Sequence, residues 1–405
     1  MGEYENLLFL ETGRIMKLKM PGRVLFMLVS YFPIPDMIGE MKTKPTQHAV
    51  RALNYAGIQP DIIIARSTQP LDEVRKKKVS IFCNLDVKDV ISAPDFKGSI
   101  YEIPINFEKD NLGKRILEKL NIRPRSKKSQ KWEMMVKNIK NSTKPVKIGI
   151  VGKYFGTGDF TLSDSYISVI EAVKHAAWFL KRKPEITWIN AESYEKDPAS
   201  TETQLRTGDS PRLEELKNFD GIIVPGGFGK RGVEGKIAAI KYVRENNIPF
   251  LGLCYGLQLA VVEFARNVCG LEDAHTAEVN PNTSRPVICT MPDQLGNIKE
   301  KKMGGSMRLG EYKCKLAKQS LCCELYGEDI ISERHRHRYE VNNRYRLKLE
   351  KGGMLVAGIN PPRKLIEIVE IPQNKFFVAT QFHPEFKSRP LSPHPLVVGL
   401  LKASV

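Results

Sequence analysis

The chain contains no uninterrupted run of about 18 apolar residues, the length a membrane-crossing helix requires, so no membrane span is expected. It opens without the basic-then-apolar pattern of a secretory leader, since Met1-Gly2-Glu3-Tyr4-Glu5 is acidic. Gly2 would suit myristoylation only with Ser or Thr at position 6, where Asn6 stands. Cysteine is sparse: seven residues, at positions 83, 254, 269, 289, 314, 322 and 323, with no Cys-x-x-Cys pair. That pattern supports neither a disulfide framework nor a zinc site. The expectation is a reducing, cytoplasmic setting with no bound metal.

Acidic residues are scarce in one stretch. Residues 109–147 hold thirteen Lys and Arg against three acids, more than half of the formal charge of +17. Trp132 is the only aromatic residue there, whereas nucleic-acid modules combine cations with stacking aromatics. No nucleic-acid partner is therefore expected. A basic balance suits the phosphates of anionic small molecules equally well.

At 405 residues, 41% of them hydrophobic and 27% charged, the chain has room for two globular domains. Leu7-Leu8-Phe9-Leu10 reads as helical, continuing through Ile15 and Met16. Val24–Val29 and Asp61–Arg66 read as buried strands, continuous and apolar as parallel strands are. Short strands alternating with helices predict an α/β layout. The expected division is a first domain over 1–108, a basic linker over 109–145 with helical pieces near 111–120 and 130–140, and a second domain over 146–405. In the second domain Val146–Val151, Ile186–Ile189, Gly221–Val224 and Phe376–Gln381 read as strands. Residues 166–179 and 233–245 read as helices, 192–217 as a mobile loop, and 280–330 as turn-rich.

Three stretches in the second domain fall at strand ends, where open α/β sheets place their sites. Gly252-Leu253-Cys254-Tyr255-Gly256 has the spacing of a nucleophile elbow with cysteine in the central position. Pro225-Gly226-Gly227-Phe228-Gly229 is a glycine turn, and His383-Pro384-Glu385 supplies an imidazole and a carboxylate. Each also has an ordinary reading: a buried cysteine, a turn, a surface bend. Together they point to Cys254 as nucleophile at a helix N-terminus, His383 as proton carrier and Glu385 as the group that orients it. Backbone N–H groups of the Gly226-Gly227 turn and of Tyr255 would serve as oxyanion donors.

These three stretches, with Gln258 and Gln381 beside them, resemble the class I glutamine amidotransferases. The flanks narrow the resemblance. Arg231–Lys236, Met303–Gly310, Glu333–Asn342 and Lys42-Thr43-Lys44-Pro45-Thr46-Gln47-His48 resemble the CTP synthases, and the wording after Gln381 is similar to eukaryotic forms. The resemblance implies two Rossmann-like parallel-sheet domains, an incomplete synthetase domain followed by a glutamine amidotransferase domain. It implies that Gln258, Glu278 and Arg338 hold L-glutamine, with Gly227 and Tyr255 as oxyanion donors. A carboxylate and a guanidinium suit the two charges of a free amino acid. Lys42, Lys44, Gln47 and Lys78 match UTP and CTP contacts, and Arg231 and Arg308 the region of allosteric GTP. The family aminates UTP with ammonia from glutamine, using ATP and Mg2+ and no covalently bound cofactor, and its members form tetramers and filaments.

Three departures shape the expectation. No Gly-rich phosphate loop of the form G-x-x-x-x-G-K-[ST] occurs in the chain. An N-terminally truncated synthase is therefore expected, without the ATP-phosphate and Mg2+ sites, retaining glutamine hydrolysis and exposing apolar surface in its first domain. At most an adenine-side edge near Asp95 and Phe96 would remain. Tyr255 stands where the family usually has Leu, and His275-Thr276-Ala277-Glu278 where it has Asn-Ser-Thr-Glu. Alternatives are a non-catalytic regulatory or assembly subunit of the full-length enzyme, and a glutaminase serving another synthetase.

Overall fold

The computed structural model describes residues 4–37, 39–95, 98–125, 129–153, 156–157, 160–161, 166–195, 212–290 and 307–405. The chain divides into two compact units, Met1–Val136 and Lys137–Val405.

In the first unit, α1 (Asn6–Lys19) precedes β1 (Met27–Tyr31), α2 (Lys44–Tyr55), β2 (Ile62–Ser67), α3 (Glu73–Cys83) and β3 (Val90–Pro94). The strands form a parallel sheet in the order β1-β2-β3. Side chains alternate across a strand. Ile63 and Ala65 accordingly join Val50 and Val79 on one face, and Ile62 and Ile64 join Ile91 and Leu112 on the other. The apolar run that reads as a buried strand forms β1, which has one neighbour among the described residues and leaves Met27, Val29 and Tyr31 exposed. Helix α1 buries none of its residues, and Leu7, Leu8, Phe9 and Leu18 are exposed.

The basic stretch read as a linker is largely helical: α4 (Ile103–Lys109), α5 (Leu112–Lys119) and α6 (Gln130–Asn141), with the division between units falling inside α6. Helices α5 and α6 fall where helical pieces were expected, near 111–120 and 130–140. Leu112 of α5 is buried in the core, while Arg115 and Lys119 on the same helix reach the buried carboxylate of Asp89 at 2.9 and 2.6 Å. Trp132 donates to the Tyr101 carbonyl at 2.8 Å.

The second unit opens with β4 (Pro145–Gly152), α7 (Ile167–Phe179), β5 (Lys183–Asn190), β6 (Gly221–Val224), α8 (Val233–Glu245), β7 (Phe250–Leu253) and α9 (Tyr255–Asn267). Then come β8 (Ala274–Thr276), β9 (Arg285–Thr290), β10 (Arg308–Leu316), α10 (Leu321–Tyr326), β11 (Ile330–His337), β12 (Tyr339–Val341), α11 (Arg346–Lys351), β13 (Leu355–Asn360), β14 (Leu365–Glu370), β15 (Phe377–Thr380) and α12 (Pro395–Ala403). The main sheet runs β11-β10-β13-β14-β15-β7-β6-β4-β5, and β8-β9-β12 form a small second sheet. From β15 to β5 every pairing is parallel, and from β15 outward to β11 every pairing is antiparallel. Both faces of the parallel half are covered. Ile222, Val224 and Phe250 pack with α8 and α9, whereas Ile223, Leu251 and Leu253 pack with α7 and α12.

The antiparallel extension is the largest departure from the sequence reading, which left 280–330 as turns. Strands β9 and β10 lie in that span; β9 buries only Val287 and Ile288, and β10 alternates in burial, so neither gives a long apolar run. Residues 196–211 of the expected mobile loop and 303–306 of one resemblance motif lie outside the described residues, as does Phe96.

Asp89 is the acceptor that holds α5 to the first unit. Asp89→Ala is expected to lower the stability of that unit by about 1–3 kcal/mol, as loss of a buried charged acceptor does. Urea unfolding followed by Trp132 fluorescence measures it.

Candidate functional site

The site follows from strand order. Strands β6, β7 and β15 are adjacent and parallel, so their carboxyl ends emerge side by side. Gly226 follows β6, Cys254 follows β7, and His383 follows β15. The Cys254 N–H donates to the Thr380 carbonyl at 2.6 Å, fastening the ends of β7 and β15 together.

Cys254 lies between β7 and α9 with φ 52° and ψ −95°, a region that costs a non-glycine residue about 1–3 kcal/mol. Its surroundings enforce that conformation. A Cβ on Gly256 would sit 2.2 Å from the Val224 carbonyl oxygen, so the first turn of α9 can approach β6 only with glycine there. A Cβ on Gly226 would sit 2.8 Å from Cε1 of His383, so the turn after β6 lies directly against the imidazole.

His383 Nδ1 and Glu385 Oε1 are 2.7 Å apart, and Phe386 stacks on the imidazole at 5.0 Å. Burial works against a charged imidazole. The Glu385 carboxylate and the Cys254 sulfur, which hydrogen-bonds the ring, outweigh it and hold the His383 pKa well above the usual histidine range. His337 lines the same cavity and behaves oppositely. Burial and then the Arg308 guanidinium push it down to about 3, so it stays neutral.

The cavity has a volume of about 580 Å³, within the roughly 300–1,000 Å³ typical of small-molecule sites. Its walls include Gly227, Cys254, Gln258, Glu278, Arg338 and His383, all singled out from the sequence. Gln258 Nε2 donates to the Tyr339 carbonyl at 2.9 Å, while its buried Oε1 meets no donor among the described residues. Glu278 Oε1 accepts from the Gly229 N–H at 2.8 Å. Burial pushes the Glu278 carboxyl up, and the Gly229 N–H, Lys153 and Arg338 oppose that shift. A carboxylate, a guanidinium and an unfilled amide oxygen thus face one cavity beside a cysteine–histidine–glutamate set.

The turn Gly226–Gly229 is tied down by Lys153, which has no role in the sequence reading, and by the side chain of Tyr255, of which only the backbone was assigned one. Lys153 donates to the Phe228 carbonyl, and the Tyr255 hydroxyl donates to the Gly229 carbonyl at 2.8 Å. Gln381 Nε2 approaches the Cys254 sulfur at 3.7 Å. Gln381 lay within a quoted motif, but the contact depends on β15 lying beside β7 and had no signal of its own.

In the first unit, Lys42 precedes α2 and pairs with Glu40 at 2.7 Å; Lys44 opens α2 and is exposed. Gln47 is buried one turn on, donating to Thr43 Oγ1 at 3.3 Å. Lys42, then Arg75 and Lys78, hold the Glu40 carboxyl below its usual range, so Arg75 joins a cationic group that the sequence reading built from lysines alone. Arg231 is exposed and pairs with Glu192 at 2.6 Å. Arg308, the other residue matched to the GTP region, is buried. Its side chain is 1% exposed, 2.8 Å from Glu367 and stacked on Tyr312 at 4.3 Å. It lies on a sheet strand, and the internal carboxylate claims its charge.

Among the described residues no group of three or more His, Cys, Asp and Glu could hold a metal ion.

Comparison with known proteins matches both units. Residues 1–122 match the family described as CTP synthase N-terminus, and residues 161–403 match glutamine amidotransferase class-I. The CTP synthase of Thermosynechococcus vestitus is 47% identical over 405 residues, spanning 100% of this chain and 70% of that protein. That of Pyrococcus abyssi is 47% identical over 406 residues, spanning 100% and 71%. A solved structure of the Trypanosoma brucei CTPS glutaminase domain with bound acivicin is 37% identical with a TM-score of 0.56, and covers 64% of this chain and 93% of that one.

Replacing Glu385 tests the electrostatics of the site. Because the folded-state pKa of His383 is raised, its charge stabilises the fold fully below the ordinary histidine pKa of about 6.5, and that contribution fades as pH rises through the folded value. Glu385→Gln is expected to move the His383 titration to lower pH, read by NMR of the imidazole. The stability difference from wild type should be largest below about pH 6.5.

Proposed function

As the chain belongs to the CTP synthases, a family with a class I glutamine amidotransferase domain, we propose that it hydrolyses L-glutamine at Cys254 and releases ammonia. The observation that carries this reading is Cys254 in a strained elbow, beside a His383–Glu385 pair, in a cavity that also presents Glu278 and Arg338.

The chemistry runs as acyl transfer. The glutamine α-amino group sits against Glu278 and its α-carboxylate against Arg338, placing the side-chain amide over Cys254. The Cys254 thiolate adds to the amide carbon, and the π electrons move to oxygen. Backbone N–H groups of Gly227 and Tyr255 stabilise that oxyanion. The imidazolium of His383 protonates the amide nitrogen, the C–N bond breaks, and ammonia leaves a thioester. Water then adds to the thioester as His383 takes its proton. The C–S bond breaks, releasing glutamate and restoring the Cys254–His383 pair. Glu385 orients the imidazole and stabilises its charge throughout.

In the family's overall reaction this ammonia aminates UTP. Our reading is that this chain carries the glutaminase half, and that ATP-dependent amination needs residues beyond those present. Lys42, Lys44, Gln47 and Lys78 would hold the triphosphate of UTP or CTP at the N-terminal end of α2, where backbone N–H groups and cations favour anions. Arg231 and Arg308 are the candidates for the GTP region. Self-association, or association with a full-length synthase, and a cytoplasmic setting complete the reading. It is supported by the match to CTP synthases over the whole chain.

A paired assay tests it. The purified chain is expected to release glutamate from glutamine and to form no CTP from UTP, ATP and glutamine. Cys254→Ala should reduce glutamate release to background, and undiminished release from that variant would refute the assignment. UTP or CTP should raise the melting temperature, and Lys44→Ala should shrink that rise.

A further inference from the structure

Lys236 is a fully buried lysine that the reaction as written leaves unused. It lies on α8 at 0% exposure, and among the described residues its Nζ meets no hydrogen-bond partner. Burying an amine without an acceptor costs several kcal/mol unless the group gives up its charge. An apolar side chain of similar length would fill the space at no such cost, so packing alone does not account for lysine here.

Its position supplies a reason. A side chain built on Gly227 would come within 3.6 Å of Nζ, which places the amine directly behind the turn that carries a proposed oxyanion donor. On another side Nζ lies 5.5 Å from the centre of the Tyr255 ring, and Tyr255 supplies the other donor. An aromatic face attracts a cation. The ring therefore gives the ammonium its nearest favourable surface at a position where the resemblance implies Leu. Lys153 adds a second cation from the end of β4, bonded to the Phe228 carbonyl of the same turn. Burial, and then Lys153, push the Lys236 pKa down to about 7. The amine is therefore poised to gain its proton when negative charge appears nearby.

We propose that Lys236 is a positioning residue for glutamine hydrolysis, with its buried amine placing positive potential behind Gly227 and Tyr255 as the oxyanion forms. The ground-state amide carries no charge at that oxygen, so the interaction strengthens on the way to the tetrahedral state. Such a difference raises kcat and leaves KM largely alone. The low dielectric of the interior lets the charge act through the turn. This inference rests on the glutaminase reading above.

The test is Lys236→Met, an unbranched apolar replacement of similar length. Expected are a kcat for glutamate release lowered about tenfold, less than the 100–1,000-fold lost with a direct oxyanion donor, a KM within about twofold of wild type, and a melting temperature equal to or above wild type. A lowered melting temperature overturns the proposal, because it would make Lys236 a structural residue. So does a stable variant with wild-type kcat, or one whose loss lies in KM. If the wild type releases no glutamate, the glutaminase reading falls and this inference with it. Wild-type turnover with an unaffected Lys236→Met variant removes this inference alone.

Discussion

The second unit is arranged around the close approach of α9 to β6. The first turn of α9 presses against the Val224 carbonyl with only a glycine hydrogen between them, and Cys254 takes up the strain at φ 52°. A positive φ at a non-glycine residue persists only where neighbours over-determine it. Here the neighbours are the parallel strands on either side, joined by the Cys254 N–H to Thr380 hydrogen bond, with α8 and α9 packed beneath. Helix α9 thereby begins immediately after Cys254, which stands at its N-terminal end.

Charge in this unit is sorted by its immediate partner. His383 and His337 line one cavity, yet Glu385 holds a proton on the first, while burial and Arg308 strip it from the second. Arg308 in turn sits against Glu367, whose burial raises its carboxyl to about 7. The sheet interior thus hosts charges whose sign and protonation depend on one or two contacts each. Charges near the cavity lie on the turn side, from Lys153 and Lys236, and on the substrate side, from Glu278 and Arg338.

The first unit follows a different balance. Its sheet has three strands, β1 is open on one edge, and α1 leaves its apolar residues exposed. Its cohesion relies on β2, buried on both faces, and on polar anchors such as Asp89 and the Trp132–Tyr101 bond.

Much of the parallel framework was legible in the sequence. Gly221–Val224 and 233–245 are continuous apolar or helical runs whose bounds match β6 and α8, because parallel strands buried on both faces leave no polar alternation to misread. The candidate site was legible too, since an elbow, a glycine turn and a His-Pro-Glu stretch are local patterns with narrow chemical uses. The antiparallel strands β10 and β11 were not, because their residues alternate between buried and less buried and give no continuous apolar run. The two helices inside the basic stretch were legible as well, at 111–120 and 130–140, and only their docking was not. The residues by themselves determined which groups could perform the chemistry. Tertiary structure alone decided that β15 lies beside β7, that Arg308 turns inward, and that Lys236 ends behind Gly227. The first two depend on contacts between segments far apart in the chain, and the third on how α8 packs against the turn that precedes it, none of which a local pattern encodes.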